Sequence, residues 1–403
     1  MANNTTNCDV LVVGAGIVGL SIGIALLEAK PQLRVVIVEK EAKLGSHASG
    51  RNSGVLHAGF YYSPESLKAK FCRDGNRQLR LIAKKHGIRV DEVGKVVVTR
   101  NEEENSRLDV LFERGVANGV DLEILDESLL TKFEPLARTN SRFIWSPTTA
   151  VSDPKSIISA IGREFTSMGG VIHFGVELNL IEKSGEVIEP SNRYRAKKIV
   201  NAAGAQADRI SRAINVGTEF AMLPFMGTYR VTNRVNLPLR RLVYPVPHPL
   251  NPFLGVHFTM TLEGLVKIGP TAIPLFGREQ YSPFSGWSIS DIGQAIKGTR
   301  ALTQGQVHDF GSIIKSEWPK VFLHNLVRES SLLVPSSGEV SKWSRKPPGI
   351  RAQLVHIPTG RLEQDFVVKP YLNSIHVLNA VSPGWTSAIP FGKWIVNQFL
   401  ATV

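Results

Sequence analysis

The chain has 403 residues with 47 Lys and Arg against 35 Asp and Glu, a net charge of +12. With 43% apolar and 20% charged residues, 35 Gly and 23 Pro, this composition excludes a disordered polymer and fits a turn-rich α/β protein of two domains. The positive excess favours anionic ligands or an acidic lipid surface, but no basic stripe interleaved with aromatics marks a nucleic-acid groove, so no nucleic-acid partner is expected.

Cys8 and Cys72 are the two cysteines. They cannot build a disulfide framework, and no Cys/His cluster has metal-ligand spacing, so a reducing compartment and no structural metal are expected. The start, MANNTTNC, has neither the basic-then-apolar pattern of a signal peptide nor the Arg-rich pattern of a transit peptide, which points to a cytoplasmic chain.

In chain order, the apolar run CDVLVV (8–13) predicts a strand, and GAGIVG follows it with Gly14, Gly16 and Gly19. A helical stretch then runs to Ala29, and RVVIVEK predicts a second strand ending at Glu39 and Lys40. Strand, glycine turn, helix, strand is the context that turns a bare GxGxxG into a dinucleotide site. Gly14 makes the tight turn, Gly16 lets backbone approach a pyrophosphate, and Gly19 lets helix and strand pack closely. The helix N-terminus offers free N–H groups to the phosphates. A carboxylate at Glu39 suits an adenosine ribose and disfavours a 2'-phosphate, leaving FAD or NAD.

Next comes SGRNSGVLHAGFYY (49–62), which sets His57 among glycines and serines. A strand-helix-strand piece is expected over about 86–144. The run KKIVNAAGAQADRI (197–210) sends an apolar strand into small residues, among them Ala203 and Gly204, that let the chain pass close to a flat ligand. Alternating segments from Leu223 to Gly269, such as MGTYRVTN and GLVKIGP, predict antiparallel strands. From Ile289 to Leu333 the spacing turns helical, amphipathic and basic, a surface able to rest on a membrane, at the inner membrane in a bacterium, or to pack on its own domain. Near the end, a strand stops at Ser382-Pro383-Gly384, predicting a helix capped by Ser382. Its apolar stretch is interrupted by Pro390, Lys393, Asn397 and Gln398, so it reads as packed and not membrane-spanning.

The late helix can aim its positive end at the edge of a flavin that becomes anionic on reduction. With one GxGxxG, no second dinucleotide domain for a nicotinamide is visible. Both features favour FAD and a small organic electron donor. The predicted architecture is a Rossmann-like FAD-binding domain (1–85, 145–215 and 349–403) with an interleaved antiparallel-sheet substrate domain (86–144 and 216–348).

Beyond the glycine motif, four segments carry a more specific likeness: GRNSGVLHAGFYYSPESLKAKFCRDG (50–75), LGVHFT (254–259), PGIRAQ (348–353) and NAVSPGWTSA (379–388). Through them the sequence resembles the L-2-hydroxyglutarate dehydrogenases and oxidases, within the D-amino-acid-oxidase-like flavoproteins. The resemblance covers nearly the whole chain. It implies FAD as cofactor and oxidation of L-2-hydroxyglutarate to 2-oxoglutarate, with hydride moving from C2 to flavin N5 and electrons passing to quinone, another acceptor or oxygen. Two departures stand out. Gly269-Pro270-Thr271 replaces the usual Gly-Pro-Asn, and Gly384-Trp385 replaces two small residues after Ser-Pro, so the exact 2-hydroxy acid stays open.

By the same resemblance the His57 segment passes near the flavin. A neutral imidazole with a pKa of about 6 to 7 matches the proton leaving an alcohol, which makes His57 the expected general base. Arg351 is the candidate grip on a substrate carboxylate, with a surface ion pair as the bland reading. His257 binds or polarises substrate, or is a satisfied core histidine. Tyr61, ranked with Tyr62 as a phenolic donor, stands ahead of Lys68, whose bland reading is a solvated face. Asn52 and Ser53 are expected to cap a helix against the flavin. Thr386 and Ser387, with Ser382 and Gly384, are expected to meet it from the last helix, plain capping being the alternative. Two other functions remain: an amine or amino-acid oxidase of the same fold, and a non-catalytic nucleic-acid-associated flavoprotein.

Overall fold

A computed structural model describes residues 5–248, 255–282, 285–305 and 310–400. Leu254, the first residue of the LGVHFT segment, and residues 306–309 of the amphipathic region lie outside them. The first unit is a six-stranded sheet in the order Val367–Tyr371, Ser374–Asn379, Tyr194–Asn201, Thr6–Val13, Val35–Glu39, Val171–Phe174. It is parallel except for the hairpin of its first two strands. Such strands are buried on both faces and need unbroken apolar runs, which VLVV (10–13) and VVIV (35–38) supply.

Alternation then sorts the two faces. Val10, Val12, Val35 and Ile37 pack with helices Ile17–Ala29, Leu67–Lys85, Pro154–Ser167 and Gly384–Leu400. Leu11, Val13, Val36 and Val38 pack with Ile210 of helix Ala207–Arg212 and with Val187.

The second unit carries an eight-stranded sheet: Ser344–Arg345, Arg230–Asn233, Leu265–Gly269, His257–Met260, Leu242–Pro245, Lys95–Val98, Arg142–Ser146, Glu123–Asp126. Its pairings are antiparallel except Leu242–Pro245 against Lys95–Val98. A four-stranded sheet, Ile273–Pro274, Phe220–Gly227, Gly349–His356, Arg361–Leu362, lies beside it. Strand Arg142–Ser146 therefore spans the junction expected at 145. Gly349–His356, assigned from sequence to the cofactor unit, hydrogen-bonds along Phe220–Gly227 instead.

The register of the large sheet decides what the site receives. Val96, Val98, Val243, Phe258, Met260, Val266 and Ile268 go into an apolar core. Val97 pairs with Tyr244, Val243 with Phe258 and Thr259 with Lys267. With a side-chain period of two, Lys95, Tyr244, His257 and Lys267 share the opposite face. Tyr244 and His257 are directly opposite one step from Val243 and Phe258, and their rings stack with centroids 3.9 Å apart.

The amphipathic region forms helices Ile289–Gln304, Phe310–Glu317 and Leu323–Ser331. Ala295, Ala301 and Leu302 of the first pack on Leu223 and Val355 of the smaller sheet. The last helix of the chain begins at Gly384. Pro383, not Ser382, takes the cap position, its carbonyl accepting the first helical bond from Ser387 N–H at 2.9 Å.

Candidate active site

A cavity of about 420 Å³ runs between the two units, from Glu39 and the glycine turn to His57 and Arg351. At one end Gly14 has φ +102°, and a Cβ there would lie 2.6 Å from the Ala202 carbonyl oxygen. A Cβ on Gly19 would lie 1.9 Å from the Gly14 carbonyl oxygen, which is why helix and turn pack only with glycine. Gly16 sits at the helix N-cap and lines the cavity. Glu39 Oε2 accepts from Ala15 N–H at 3.0 Å and its Oε1 from Glu41 N–H, so the carboxylate braces the turn it ends beside.

Ser49, which sequence reasoning missed, accepts from Ile17 N–H at 3.0 Å through its Oγ and so occupies one of the helix's free donors. Its signal was a hydroxyl in the glycine-rich run just ahead of His57. Asn52 and Ser53 line the cavity, but no helix starts there. Asn52 folds its own loop instead, accepting from Gly54 N–H at 2.9 Å and donating to the Ser49 carbonyl at 3.0 Å. Lys40 lines the same end, and its ammonium bonds His47 and Glu279 at 3.0 Å each and also Glu41, tying the 279–281 loop to the nucleotide turn. Ala203, Gly204, Ser382 and Gly384 continue the wall, and Trp385 closes it beside them.

At the other end the backbone of His57 is pinned while its ring is not. His57 N–H donates to Thr386 Oγ1 at 3.2 Å, and the His57 carbonyl accepts from Asn76 Nδ2 at 3.1 Å and from the Cys72 thiol. Ring atom Nδ1 is buried with no hydrogen-bond partner among the described residues. Burial, then the positive charge of Lys95, then His257 lower its pKa to about 3. The value of about 6 to 7 expected from sequence is thus corrected: unliganded His57 is a firmly neutral imidazole.

His257 is also at the wall and also held neutral, burial first of all pushing its pKa to about 3. Its Nδ1 lies 2.8 Å from the Gly255 carbonyl, which can only accept, so Nδ1 carries the proton and Nε2 keeps a lone pair. Arg351 reaches the wall from strand Gly349–His356. It is partly buried, and desolvation lowers its pKa from the usual guanidinium value.

Five expected site residues lie behind the wall. Tyr61 stacks on Phe60 at 4.3 Å with its hydroxyl buried and unpartnered. Tyr62 is the tyrosine whose hydroxyl reaches Ser382 of the wall. Lys68 is not a solvated side chain: it is 4% exposed, its ammonium 5.9 Å from the rings of Tyr62 and Phe366. Burial, then Arg351, lowers its pKa to about 7. Thr386 and Ser387 are fully buried, and Thr386 Oγ1 serves the His57 segment rather than the cavity, donating to the Val55 carbonyl at 3.3 Å. Lys95, Tyr244 and Lys267 were also missed from sequence. Lys267 donates to the Ser53 carbonyl at 2.7 Å, joining the large sheet to the cofactor loop.

These features fit a dinucleotide carrying a flat ring. A glycine cradle that no side chain can enter receives the phosphates, small residues flank the middle, and neutral imidazoles with a cation wait at the far end. The sequence matches the model for FAD dependent oxidoreductases over residues 9–398. It is 35% identical to L-2-hydroxyglutarate dehydrogenase of Escherichia coli strain K12, covering 97% of this chain and 92% of that one. Against the mitochondrial L-2-hydroxyglutarate dehydrogenases of Caenorhabditis elegans and Homo sapiens the identities are 36% and 33%, covering 97% and 98% of this chain and 92% and 89% of theirs. Among solved structures, an L-alpha-glycerophosphate oxidase from Mycoplasma pneumoniae with FAD bound superposes with a TM-score of 0.77 at 23% identity, over 98% of this chain and 95% of that one. Glycine oxidase from Geobacillus kaustophilus gives 0.72 at 19%, over 98% and 95%.

Proposed function

On the premise that the chain belongs to the FAD dependent oxidoreductases, and within them to the L-2-hydroxyglutarate dehydrogenase family, we propose that it oxidises L-2-hydroxyglutarate to 2-oxoglutarate with His57 as the base. The observation that carries this reading is the buried, neutral and partly unpartnered ring of His57 on a backbone fixed from three sides, at the wall Arg351 also reaches.

FAD, held by Gly14, Gly16, Glu39, Ser49 and the small residues at 202–204, supplies the two-electron acceptor when bound. The chain's own residues do the rest. Arg351 takes a carboxylate in a charge-assisted pair, and its burial makes that pair strong. His257, neutral and stacked on Tyr244, lines the substrate end of the cavity beside Arg351 and His57. His57 receives the hydroxyl proton. Its low proton affinity without ligand is offset when a dianion enters, because negative charge near an imidazole favours its protonated form. Removal of water by the substrate then leaves that proton no competing acceptor.

Anaerobic mixing of the flavin-loaded protein with L-2-hydroxyglutarate, its D-enantiomer, L-lactate and several L-amino acids tests the reading. Loss of the oxidised-flavin band with the L-hydroxy acid alone is expected; bleaching by an amino acid instead sinks it. Electrons then leave to quinone, another acceptor or oxygen, and parallel assays for quinone reduction and hydrogen peroxide separate these. No helix among the described residues is long and apolar enough to cross a membrane. Peripheral contact is supported by Trp287, Ile289, Ile296, Trp318 and Phe322, exposed in the helical region that also carries Lys297, Arg300, Lys320 and Arg328. Sedimentation with anionic vesicles tests it.

A further inference from the structure

Lys95 is the most deeply buried cation without a hydrogen-bond partner among the described residues. Its side chain is fully enclosed, and its Nζ has no acceptor in reach. Three rings replace one: Nζ lies 4.5 Å from the centroids of Phe60 and Tyr61 and 4.6 Å from that of Tyr244. Two of these rings come from the segment that carries His57, and the third stacks on His257. An ammonium over aromatic faces gains a cation–π attraction that grows as water is removed. No carboxylate bonds it among the described residues, and a buried charge without a counter-ion is costly to keep for packing alone.

We propose that Lys95 is a positioning residue for the reaction: a caged amine whose charge adds to the effect of burial in keeping His57 unprotonated until an anionic substrate enters. This rests on the reading of His57 as the base. The groups that act on His57 come from every side. Lys95 on strand Lys95–Val98 is the largest charge opposing its protonation, and His257 on strand His257–Met260 is the next. The Cys72 thiol on helix Leu67–Lys85 meets its carbonyl, Arg351 stands at the wall, and Tyr62 lies behind it against Ser382. None of these is an acid ionised at neutral pH.

Lys95 is suited to this because burial lowers its pKa to about 7, while the Cys72 thiol works in the other direction. As pH falls, the first proton goes to Lys95, and the charge so formed repels a second proton from His57. A substrate with two carboxylates cancels that field. A neutral or monoanionic alcohol cancels less of it, so the same lysine ties deprotonation to dianionic substrates.

The test uses the oxidised, FAD-loaded protein without turnover. With 15N-labelled histidine, the His57 ring signal is identified by its loss in H57N and followed against pH. In the parent protein His57 stays neutral to below pH 5. In K95M its titration midpoint rises by roughly one unit or more, the size expected for losing one nearby charge, and in K95R it stays near the parent value. The acid limb of kcat/KM for L-2-hydroxyglutarate moves in the same sense. K95Q replaces K95M if the methionine variant does not retain its flavin. An unchanged His57 midpoint in the uncharged variant overturns the role of Lys95. If instead H57N reduces its flavin at the parent rate, the base assignment fails, and the NMR titration still reports separately on Lys95.

Discussion

The two ends of the cavity recognise their ligands by different physics. At the nucleotide end the contacts are made by backbone: Gly14, Gly16 and Gly19, the helix N-terminus, and a carboxylate and a hydroxyl that fasten the turn. At the far end they are side chains with charge or lone pairs: His57, His257 and Arg351 at the wall, with Lys95, Lys68 and Lys267 buried behind them. Burial lowers the pKa of each of these lysines, to about 7 for Lys95 and Lys68 and about 8 for Lys267. One end is built mainly from backbone dipoles and the other from buried cations and neutral imidazoles. A cofactor that stays bound is met by preformed dipoles, whereas a dianion that comes and goes is met by charges that need it.

If that division holds, damage at the two ends has separate consequences. The largest effect is expected from His57→Ala, which removes the proton acceptor and slows flavin reduction by roughly 10²- to 10⁴-fold, with the yellow colour kept. Stopped-flow absorbance at saturating substrate measures it, and an unaltered rate removes His57 from the chemistry. Gly19→Val is the counterpart: its Cβ has no room against the Gly14 carbonyl, so flavin is lost before any kinetic step can be read.

Arg351→Met comes next. Removing a buried charge-assisted bond costs about 1.5–3 kcal/mol, so half-saturation by L-2-hydroxyglutarate rises roughly 10- to 100-fold while the limiting reduction rate changes less. An unchanged half-saturation value moves the carboxylate grip elsewhere, with Tyr62 the next candidate.

The same contrast explains what was legible in the sequence. The nucleotide end is local: six residues, GAGIVG, set between two apolar runs, specify turn, helix start and phosphate cradle, and strand periodicity signalled the antiparallel strands between Leu223 and Gly269 but not the sheet that Gly349–His356 joins. The substrate end is assembled from positions 57, 95, 244, 257, 267 and 351, on strands whose order in the sheet no local pattern states. His57, Arg351 and His257 were accessible through family resemblance. Lys95 and Tyr244 were not, since KVVV and LVYP read as ordinary core strands until the register Val97 to Tyr244 sets them on one face. Tyr61 and Lys68 misled for the same reason: a position near His57 in sequence does not say which side of the wall a side chain occupies.

Acid pH offers a quieter test of the stored charge. His57 and His257 each have a folded-state pKa of about 3 against the usual 6.5 of an imidazole. The unfolded chain therefore binds more protons below pH 6.5, and their contribution to stability, fully present above that pH, is lost as pH falls toward 3. By pH 5 the loss is about 2 kcal/mol per histidine. Urea unfolding at pH 7 and pH 5 should show a smaller drop for the H57N/H257N double variant than for the parent; equal drops place the acid sensitivity elsewhere.

The smallest effect probes the seam between the two ends. Thr386, on the last helix of the cofactor unit, accepts from His57 N–H and donates to the Val55 carbonyl, so it positions the base without touching the cavity. Thr386→Val keeps the shape and removes the hydroxyl, leaving two buried backbone groups short of a partner at a cost of about 1–3 kcal/mol. The expected result is a lower urea midpoint and a several-fold slower flavin reduction with half-saturation nearly unchanged, because Arg351 stays in place. Thr386→Ser, which restores the hydroxyl, should recover the rate more fully than the stability, since it leaves a small void where the methyl was. If the valine variant reduces its flavin at the parent rate, the imidazole is positioned by Asn76 and Cys72 alone, and the last helix serves the flavin rather than the base.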